Sequence, residues 1–246
     1  DDLSAIIDVG AFFKNFKNQQ IALGILKVIK RIESVLYYDE ESNQVEFVKR
    51  SSDPNSKNLT YTKGFISSTD PDSIYKATQS DISKRFTFYD QRHITGSDIL
   101  QPKSARALMT VGTRVLLRDI LQGTLRMRQF MTSQKVHLVT SASACKFYFS
   151  CNGSKFDPKN SSIRVSDMIA LGAFNEDEKQ ASENEKLAFV KIDSEVRKFV
   201  LEQITESISN LDSEKSRASI NIWFKKSQNS SKQFRDLFIR HIKESP

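Results

Sequence analysis

The chain has 246 residues, of which 38% are hydrophobic and 27% are charged, and its formal net charge is +7 at pH 7. This length predicts one domain, or one domain with an appendage, that can bury a sizeable core. The mean hydropathy is −0.45, and no apolar run approaches the roughly 20 residues of a membrane span. We therefore expect a soluble protein with no membrane partner.

Two cysteines, Cys145 and Cys151, stand close together with aromatic residues between them. They form neither a disulfide framework nor a zinc-ligand pattern, so we expect a reducing compartment and an intracellular, cytoplasmic location. The chain begins Asp1-Asp2 without a methionine, which we interpret as a piece of a longer protein. The rest of that parent protein is then an expected partner.

The first predicted elements are a strand, a helix and a hairpin. An apolar strand is predicted at Ser4–Asp8, and Asn18 is predicted to cap a helix over Gln19–Arg31 with one wide apolar face. The next predicted elements are the hairpin strands Val35–Tyr38 and Val45–Val48 and a weak helix at Ile74–Gln79.

The central segment alternates strands with a helix, which predicts an α/β fold with a parallel sheet and crossover connections. Its elements are the strand Phe86–Tyr89, a loop ending in Thr95-Gly96-Ser97-Asp98, the apolar run Ala105–Val111, a helix carrying Gln122, Arg126 and Arg128, and the strand Lys135–Thr140.

The character of the chain changes after Thr140. Residues Ser141–Ser162 are polar and are predicted to form a loop. Residues 163–209 read as two helices separated by the acidic segment Asn175–Glu185, and a basic helix is predicted at Lys232–Lys243. We therefore expect an α/β domain over residues 1–140 and a mainly helical extension over residues 141–246.

A Gly-Ser-Asp turn after a strand, followed by Gln-x-x-x-Arg-x-Arg, resembles the second, RecA-like lobe of superfamily-two helicases. The segment Asp90–Asp98 and the pattern Gln122, Arg126-Met127-Arg128 also resemble a helicase-like module of very large fungal and protist proteins named ubiquitinyl hydrolases. Gln91 and Thr95 depart from that pattern. The resemblance implies a RecA-like parallel sheet flanked by helices. It also implies that Thr95, Gly96 and Asp98 form a turn at the carboxyl end of the sheet, facing a helix with Arg126 and Arg128.

The motor chemistry of this resemblance is incomplete in the chain. A nucleotide-hydrolysing motor needs a phosphate cradle with a lysine, and no Gly-x-x-x-x-Gly-Lys-Ser/Thr sequence occurs here. The position at which an active motor carries its arginine finger is Gln129. Gln122, Arg126 and Arg128 either bind a phosphate-bearing ligand or hold the sheet through ion pairs, since arginine serves both uses.

Asp90 and His93 raise a hydrolase alternative, because a carboxylate and an imidazole are two parts of a nucleophilic triad. Cys145 is the candidate nucleophile, and ubiquitin is the partner that the family name implies. A buried, inert Cys145 thiol is the favoured reading.

Asp8 ends the first strand, so Asp8, Asp90, His93 and Asp98 are expected at one edge, the ligand crevice of an open sheet. Their oxygens suit magnesium or calcium, but we assign no metal and no cofactor.

The leading prediction is a catalytically incomplete helicase-like lobe of a larger protein that binds a partner or a phosphate-bearing ligand. The alternatives are a cysteine-dependent ubiquitinyl hydrolase and a structural interaction scaffold. Nucleic acid is a further candidate partner, because several arginines cluster in sequence. A solvated basic surface is the favoured explanation, since no aromatic residues of the kind that stack bases interleave with these arginines. The clustered arginines are Arg106, Arg114, Arg118, Arg126 and Arg128.

Overall fold

The structure is a computed structural model that describes residues 3–51, 60–95, 98–151, 157 and 163–208. Gly96 and the predicted helix Lys232–Lys243 lie outside the described residues. The strands are β1 Leu3–Ile7, β2 Ser34–Tyr38, β3 Val45–Arg50, β4 Tyr61–Ile66, β5 Arg85–Tyr89, β6 Arg106–Val111 and β7 Lys135–Thr140. The helices are α1 Asn18–Val28, α2 Pro71–Thr78, α3 Leu117–Thr124, α4 Ala142–Cys151 and α5 Val165–Ile208.

The strands form one seven-stranded sheet in the order β4-β3-β2-β5-β1-β6-β7. The strands β2, β5, β1, β6 and β7 are parallel, whereas β3 and β4 extend the sheet as an antiparallel meander. This confirms the predicted α/β fold, a mostly parallel sheet flanked by helices in a RecA-like arrangement. Strand β1 lies between β5 and β6. After β1 the chain continues to β2 on one side of it, and after β5 it crosses to β6 on the other side. This reversal in the direction of the connections marks the switch point of the sheet.

Each face of the sheet carries its own hydrophobic core. On one face α1 packs on β2, β3 and β5, and the buried side chains include Leu26, Tyr37 and Phe88. On the other face the core joins β1 and β6 to α2, α3 and the first turns of α5. Both cores consist of side chains that alternate along the same strands, as period-two strands between helical layers require.

The prediction that Arg126 and Arg128 lie on a helix is wrong. Helix α3 ends at Thr124, and the next residues form tight turns in which the Arg126 and Met127 N–H groups donate to Gly123 and Thr124 carbonyls. The turn inserts Met127 into the core, where it is 1% exposed. Burial of this side chain outweighs continuation of the helix after a glycine and a β-branched residue, both poor helix formers.

The loop predicted at Ser141–Ser162 is also wrong in its first part, because residues Ala142–Cys151 form α4. The Ser141 hydroxyl accepts a hydrogen bond from the Ala144 N–H group at 3.1 Å and so caps the helix. The loop prediction followed the polar residues after Cys151, although Ala142–Cys151 itself is largely apolar.

A single helix, α5, replaces the two helices predicted after residue 163. The acidic segment Asn175–Glu185 continues the helix because it contains no glycine or proline and is rich in Glu, Lys, Gln and Ala, which are strong helix formers. Lys179 and Glu183 form an ion pair one turn apart at 3.7 Å. The acidic segment therefore does not interrupt the helix, and the prediction of two helices is wrong.

The chain divides into two units, Asp1–Glu176 and Asp177–Pro246. The first unit reaches beyond residue 140, because Met168 and Leu171 of α5 belong to the core of the sheet. Within the described part of the chain, no helix combines the length and the apolar character needed to cross a membrane.

Candidate ligand site at the carboxyl edge of the sheet

A cavity of about 230 Å³ opens where the carboxyl ends of β1, β2 and β5 meet. The loops after these strands supply Asp8, Glu40, Asp90 and Arg92, and Asn18 is the first residue of α1. Ligands of open α/β sheets bind outside the carboxyl ends of the strands at the switch point. The cavity therefore lies where ligands of open α/β sheets ordinarily bind.

The carboxylate of Asp8 is turned into the protein and is 3% exposed. Its Oδ1 accepts hydrogen bonds from the Thr110 hydroxyl at 2.6 Å and from the Phe12 N–H group at 2.9 Å. Its Oδ2 accepts from the Phe13 N–H group at 3.0 Å. Asp8 therefore shapes the loop after β1.

The loops after β1 and β6 meet through two glycines. A Cβ atom on Gly10 would lie 2.7 Å from the backbone nitrogen of Gly112. The Gly10 N–H group also bonds to both oxygens of Thr110, at 3.0 Å and 2.9 Å. This contact closes the crevice on the β6 side, so the open cavity lies on the β5 side of β1.

Asp90 connects three elements of the site. Its Oδ2 accepts a hydrogen bond from the Asn18 amide at 2.6 Å, and the same amide donates to the Tyr38 carbonyl at 2.8 Å. The predicted capping role of Asn18 is therefore wrong, because α1 begins at this residue and its side chain ties the helix to β2 and β5. The Oδ1 atom of Asp90 accepts from the backbone N–H of His93 at 2.9 Å.

The imidazole of His93 is held on three sides. Its Nδ1 lies 2.6 Å from Asp90 Oδ1, a contact that keeps a proton on Nδ1. The ring stacks on Tyr38 with centroids 4.3 Å apart and planes at 7°. Its Nε2 lies 3.3 Å from Asn43 Oδ1. Asp90 and His93 thus have the contact of an orienting carboxylate with an imidazole, and the other ring nitrogen faces an amide oxygen of the protein.

Cys145 lies on α4, which follows β7. In the strand order β5-β1-β6-β7, the strands that lead to His93 and Cys145 are three positions apart, about 14 Å at ordinary strand spacing. Burial raises the pKa of the Cys145 thiol. The strand order therefore does not bring this thiol beside the Asp90–His93 pair.

The amino end of α1 is occupied by a side chain of the protein. Glu40 Oε1 accepts a hydrogen bond from the Asn18 backbone N–H at 2.5 Å. A carboxylate at this position interacts favourably with the unpaired N–H groups and the positive end of the helix dipole. Glu40 therefore stands where an anionic ligand of α1 would bind.

Two exposed cations face the same cavity, Lys14 from the loop after β1 and Arg92 from the turn after β5. Within the described residues, neither forms an ion pair with a carboxylate. The walls thus combine carboxylates that accept internal hydrogen bonds with two cations available to a ligand.

The remaining predicted residues form a second cluster. The Thr95 hydroxyl donates to Gln122 Oε1 at 2.9 Å, and Arg128 Nε pairs with Asp98 at 2.9 Å. Arg126 Nε donates to the Gln122 carbonyl at 3.4 Å. The loop after β5 therefore contacts the segment around the end of α3.

The second cluster lies in the segments of chain that lead to β6 and β7. Asp98 precedes β6 and Arg128 precedes β7, and these connections run side by side, since the Ser133 hydroxyl donates to the Lys103 carbonyl at 2.6 Å. They lead to the amino ends of β6 and β7, whereas Asp8 and Asp90 follow the carboxyl ends of β1 and β5. The second cluster nevertheless begins close to the carboxyl end of β5, because the hydroxyl of Tyr89, the last residue of β5, donates to the Ile99 carbonyl at 3.3 Å. A single edge containing Asp8, Asp90, His93 and Asp98 stays a prediction.

A divalent cation finds no ready site here. No group of three or more His, Cys, Asp or Glu side chains suited to a metal ion occurs in the described part of the chain.

Sequence reasoning missed several residues of the cavity. Thr110 left a signal, because it is a polar residue inside the apolar run Ala105–Val111. In the sequence, only their positions after predicted strands distinguish Lys14, Glu40 and Arg92, since charged loop residues are ordinarily solvated.

A comparison of the chain with models of known protein families, with curated protein sequences and with solved structures finds no match.

Proposed function

We propose that this chain is a catalytically incomplete, helicase-like lobe that binds a phosphate-bearing ligand at the carboxyl edge of its sheet. The observation that carries the proposal is the cavity beside β1, with Lys14 and Arg92 facing it and no internal ion pair using either cation among the described residues. Phosphate groups bind at such positions through cations and helix N-termini.

In this proposal the Glu40 carboxylate competes with the ligand for the amino end of α1. The carboxylate takes the α1 amino end, and it must move or be outcompeted when a phosphate group enters. Removal of its charge should therefore strengthen anion binding, whereas removal of either cation should weaken it.

The test is isothermal titration of ADP and of pyrophosphate into the full 246-residue chain. Lys14→Ala and Arg92→Ala should each weaken binding about tenfold, because a hydrogen bond to a charged group contributes about 1.5–3 kcal/mol. Glu40→Gln should tighten binding, and Lys76→Ala on the exposed side of α2 is the matched control. Equal affinities in all four variants would overturn the proposal. A loss confined to Arg126→Ala would move the site to the second cluster.

We also expect no hydrolysis of ATP by the isolated chain, because the lysine-bearing phosphate loop is absent from its sequence. Steady-state phosphate release should equal that of a buffer blank. Release above the blank that disappears in Arg126→Ala would show that the lobe is a motor by itself.

The Asp90–His93 contact favours a second candidate, a cysteine-dependent ubiquitinyl hydrolase. The raised pKa of Cys145 and the strand order speak against its thiol as the nucleophile. A ubiquitin bearing an electrophilic carboxyl terminus should therefore leave both cysteines unmodified. Stoichiometric labelling that is lost in both Cys145→Ala and His93→Ala would make this chain the hydrolase.

A further inference from the structure

Half of one sheet face carries no helix among the described residues. On the face covered by α1, that helix packs on β2, β3 and β5. Ala5, Ile7, Ala107 and Met109 belong to the opposite core. Their neighbours Ile6 of β1 and Leu108 of β6 consequently point to the α1 face, where both stay partly exposed. Parallel sheets ordinarily bury both faces under helices.

An apolar groove runs between this open half and the flank of α1. It encloses about 370 Å³, and its lining includes Ile6, Phe16, Ile21 and Val28. Val28 is 76% exposed and Phe16 is 59% exposed. The strands β1, β6 and β7 span two strand spacings, about 10 Å, which matches the diameter of one helix. The gap therefore has the width of a missing helix layer.

Gly24 forms a notch in the wall of this groove. It lies in the middle of α1, where glycine is less favourable than alanine, and a Cβ atom there would meet nothing within 4 Å. Among the described residues no packing contact requires this glycine, whereas Gly123 fits against Met109 and Val9. A glycine open to the groove permits the close approach of a backbone from outside.

The open strands carry unbalanced positive charge. Arg106 of β6 lies directly opposite Lys135 of β7 in register, and both are exposed. In the described chain neither forms an ion pair. Like charges at opposed positions destabilise a sheet, and an acidic partner would relieve the repulsion. His137, opposite Leu108, extends the same edge.

We propose that this groove binds an amphipathic helix of another polypeptide, with an apolar stripe toward Ile6 and Val28 and an acidic flank toward Arg106 and Lys135. The helix would complete the layer beside α1. A second copy of the chain fits poorly, because a symmetric contact through this face would bring Arg106 and Lys135 against the same cations of the partner.

The test uses the full chain and two fluorescein-labelled helical peptides of about 18 residues, long enough to form helix. Both carry leucine at i, i+3, i+4 and i+7, and their flanks consist of glutamate in one and lysine in the other. Fluorescence anisotropy should show binding of the acidic peptide and none of the basic one. Gly24→Leu, which fills the notch, should weaken binding at least about tenfold, since the side chain occupies the partner's position.

Two further variants separate binding from folding. Arg106→Glu/Lys135→Glu should reverse the preference between the peptides, and Lys76→Leu on α2 should leave both affinities unchanged. Gly24→Leu should retain the circular dichroism spectrum and should not lower the thermal midpoint, because its side chain enters open space and leucine is a better helix former than glycine.

Failure of the acidic peptide to bind, or equal binding in Gly24→Leu, would overturn the proposal. Binding of phosphatidylserine vesicles or of a single-stranded oligonucleotide instead of the peptide, lost in Gly24→Leu, would assign the groove to that partner and also refute it. Concentration-dependent self-association lost in Gly24→Leu would do the same.

Discussion

At the carboxyl end of β1, the Asp8 carboxylate accepts hydrogen bonds from two backbone N–H groups and from Thr110. At the carboxyl end of β5, Asp90 instead accepts from Asn18 and His93. Two aspartates in equivalent positions therefore perform different tasks, because one turns inward under the loop and the other faces an imidazole. Buried carboxylates are tolerated only when donors satisfy them, so each donor contributes to stability.

Thr110→Val should destabilise the protein by about 1.5–3 kcal/mol, because it leaves the buried Asp8 carboxylate without one donor at nearly unchanged volume. Thr110→Ser keeps the hydroxyl and loses one methyl group, which should cost only about 1 kcal/mol. Urea denaturation of the two variants measures the difference. Equal losses would mean that packing, rather than the hydrogen bond to Asp8, determines the role of this residue.

The residues of the candidate site were only partly predictable from the sequence. Asp8, Asp90 and His93 follow predicted strands, so their positions at the carboxyl edge could be expected. The acceptor role of Asp8 and the position of Glu40 at α1 could not, because they depend on loops that meet only after the sheet has assembled. Arg128 was predicted together with Asp98 because both belong to one family-like pattern.

At the scale of elements, two helical glycines have opposite environments. Gly123 lets α3 approach the sheet, and a Cβ there would lie 2.9 Å from both Met109 Sδ and Val9 Cγ2. Gly24 of α1 faces open space. The same residue type therefore serves close packing in one helix and leaves a notch in the other.

Gly123→Ala should destabilise the protein by about 1–3 kcal/mol, because the added methyl group forces α3 away from β1 and β6. Gly24→Ala is the matched control and should stabilise it by about 0.5–1 kcal/mol through the lower conformational entropy of the unfolded chain. Thermal and chemical denaturation of both variants test the pair. Stabilisation by Gly123→Ala would contradict the close approach of α3.

Among the elements, the long apolar strands were the easiest to predict. The edge strand β4 and the helices after residue 140 were the hardest. Strand β4 was missed because most of its side chains are exposed and its place depends on pairing with β3. In that pairing Gly64 makes room for the ring of Phe47. Helix α4 was missed because the polar residues after Cys151 dominate the segment Ser141–Ser162, although Ala142–Cys151 is itself largely apolar and Ser141 supplies a cap.

At the scale of the whole molecule, carboxylates at turns and helix starts respond to acid. Backbone and side-chain hydrogen bonds lower the pKa of Asp39, Asp70, Asp81 and Asp167. Their ordinary pKa in an unfolded chain is about 3.9, so their contribution is complete above that pH. It is lost as the pH falls through the lowered values of the folded protein.

The urea midpoint should therefore fall as the pH is lowered from about 4 to about 2. Asp70→Asn keeps an acceptor for the Ser73 N–H group of α2 but cannot titrate, so its midpoint should fall less steeply. An identical acid slope in this variant would refute the assignment of the cap.

The opposite sign applies to two lysines. Hydrogen bonds to Glu46 and Glu33 raise the pKa of Lys63 and Lys84 above their ordinary values. The stability they contribute is complete below about pH 10.4 and is lost as the pH rises through the raised values. Their pairs are exposed and should add little near neutral pH.

The sequence by itself determined the α/β class, the positions of the strands β1, β2, β5, β6 and β7, and the acidic residues that follow β1 and β5. Apolar runs of strand length and their alternation with helices carry that information locally. Only the tertiary structure decided that β1 lies between β5 and β6. That order separates Cys145 from His93, joins Thr110 to Asp8 and leaves half a sheet face open, because contacts between distant segments arise from the packing of layers.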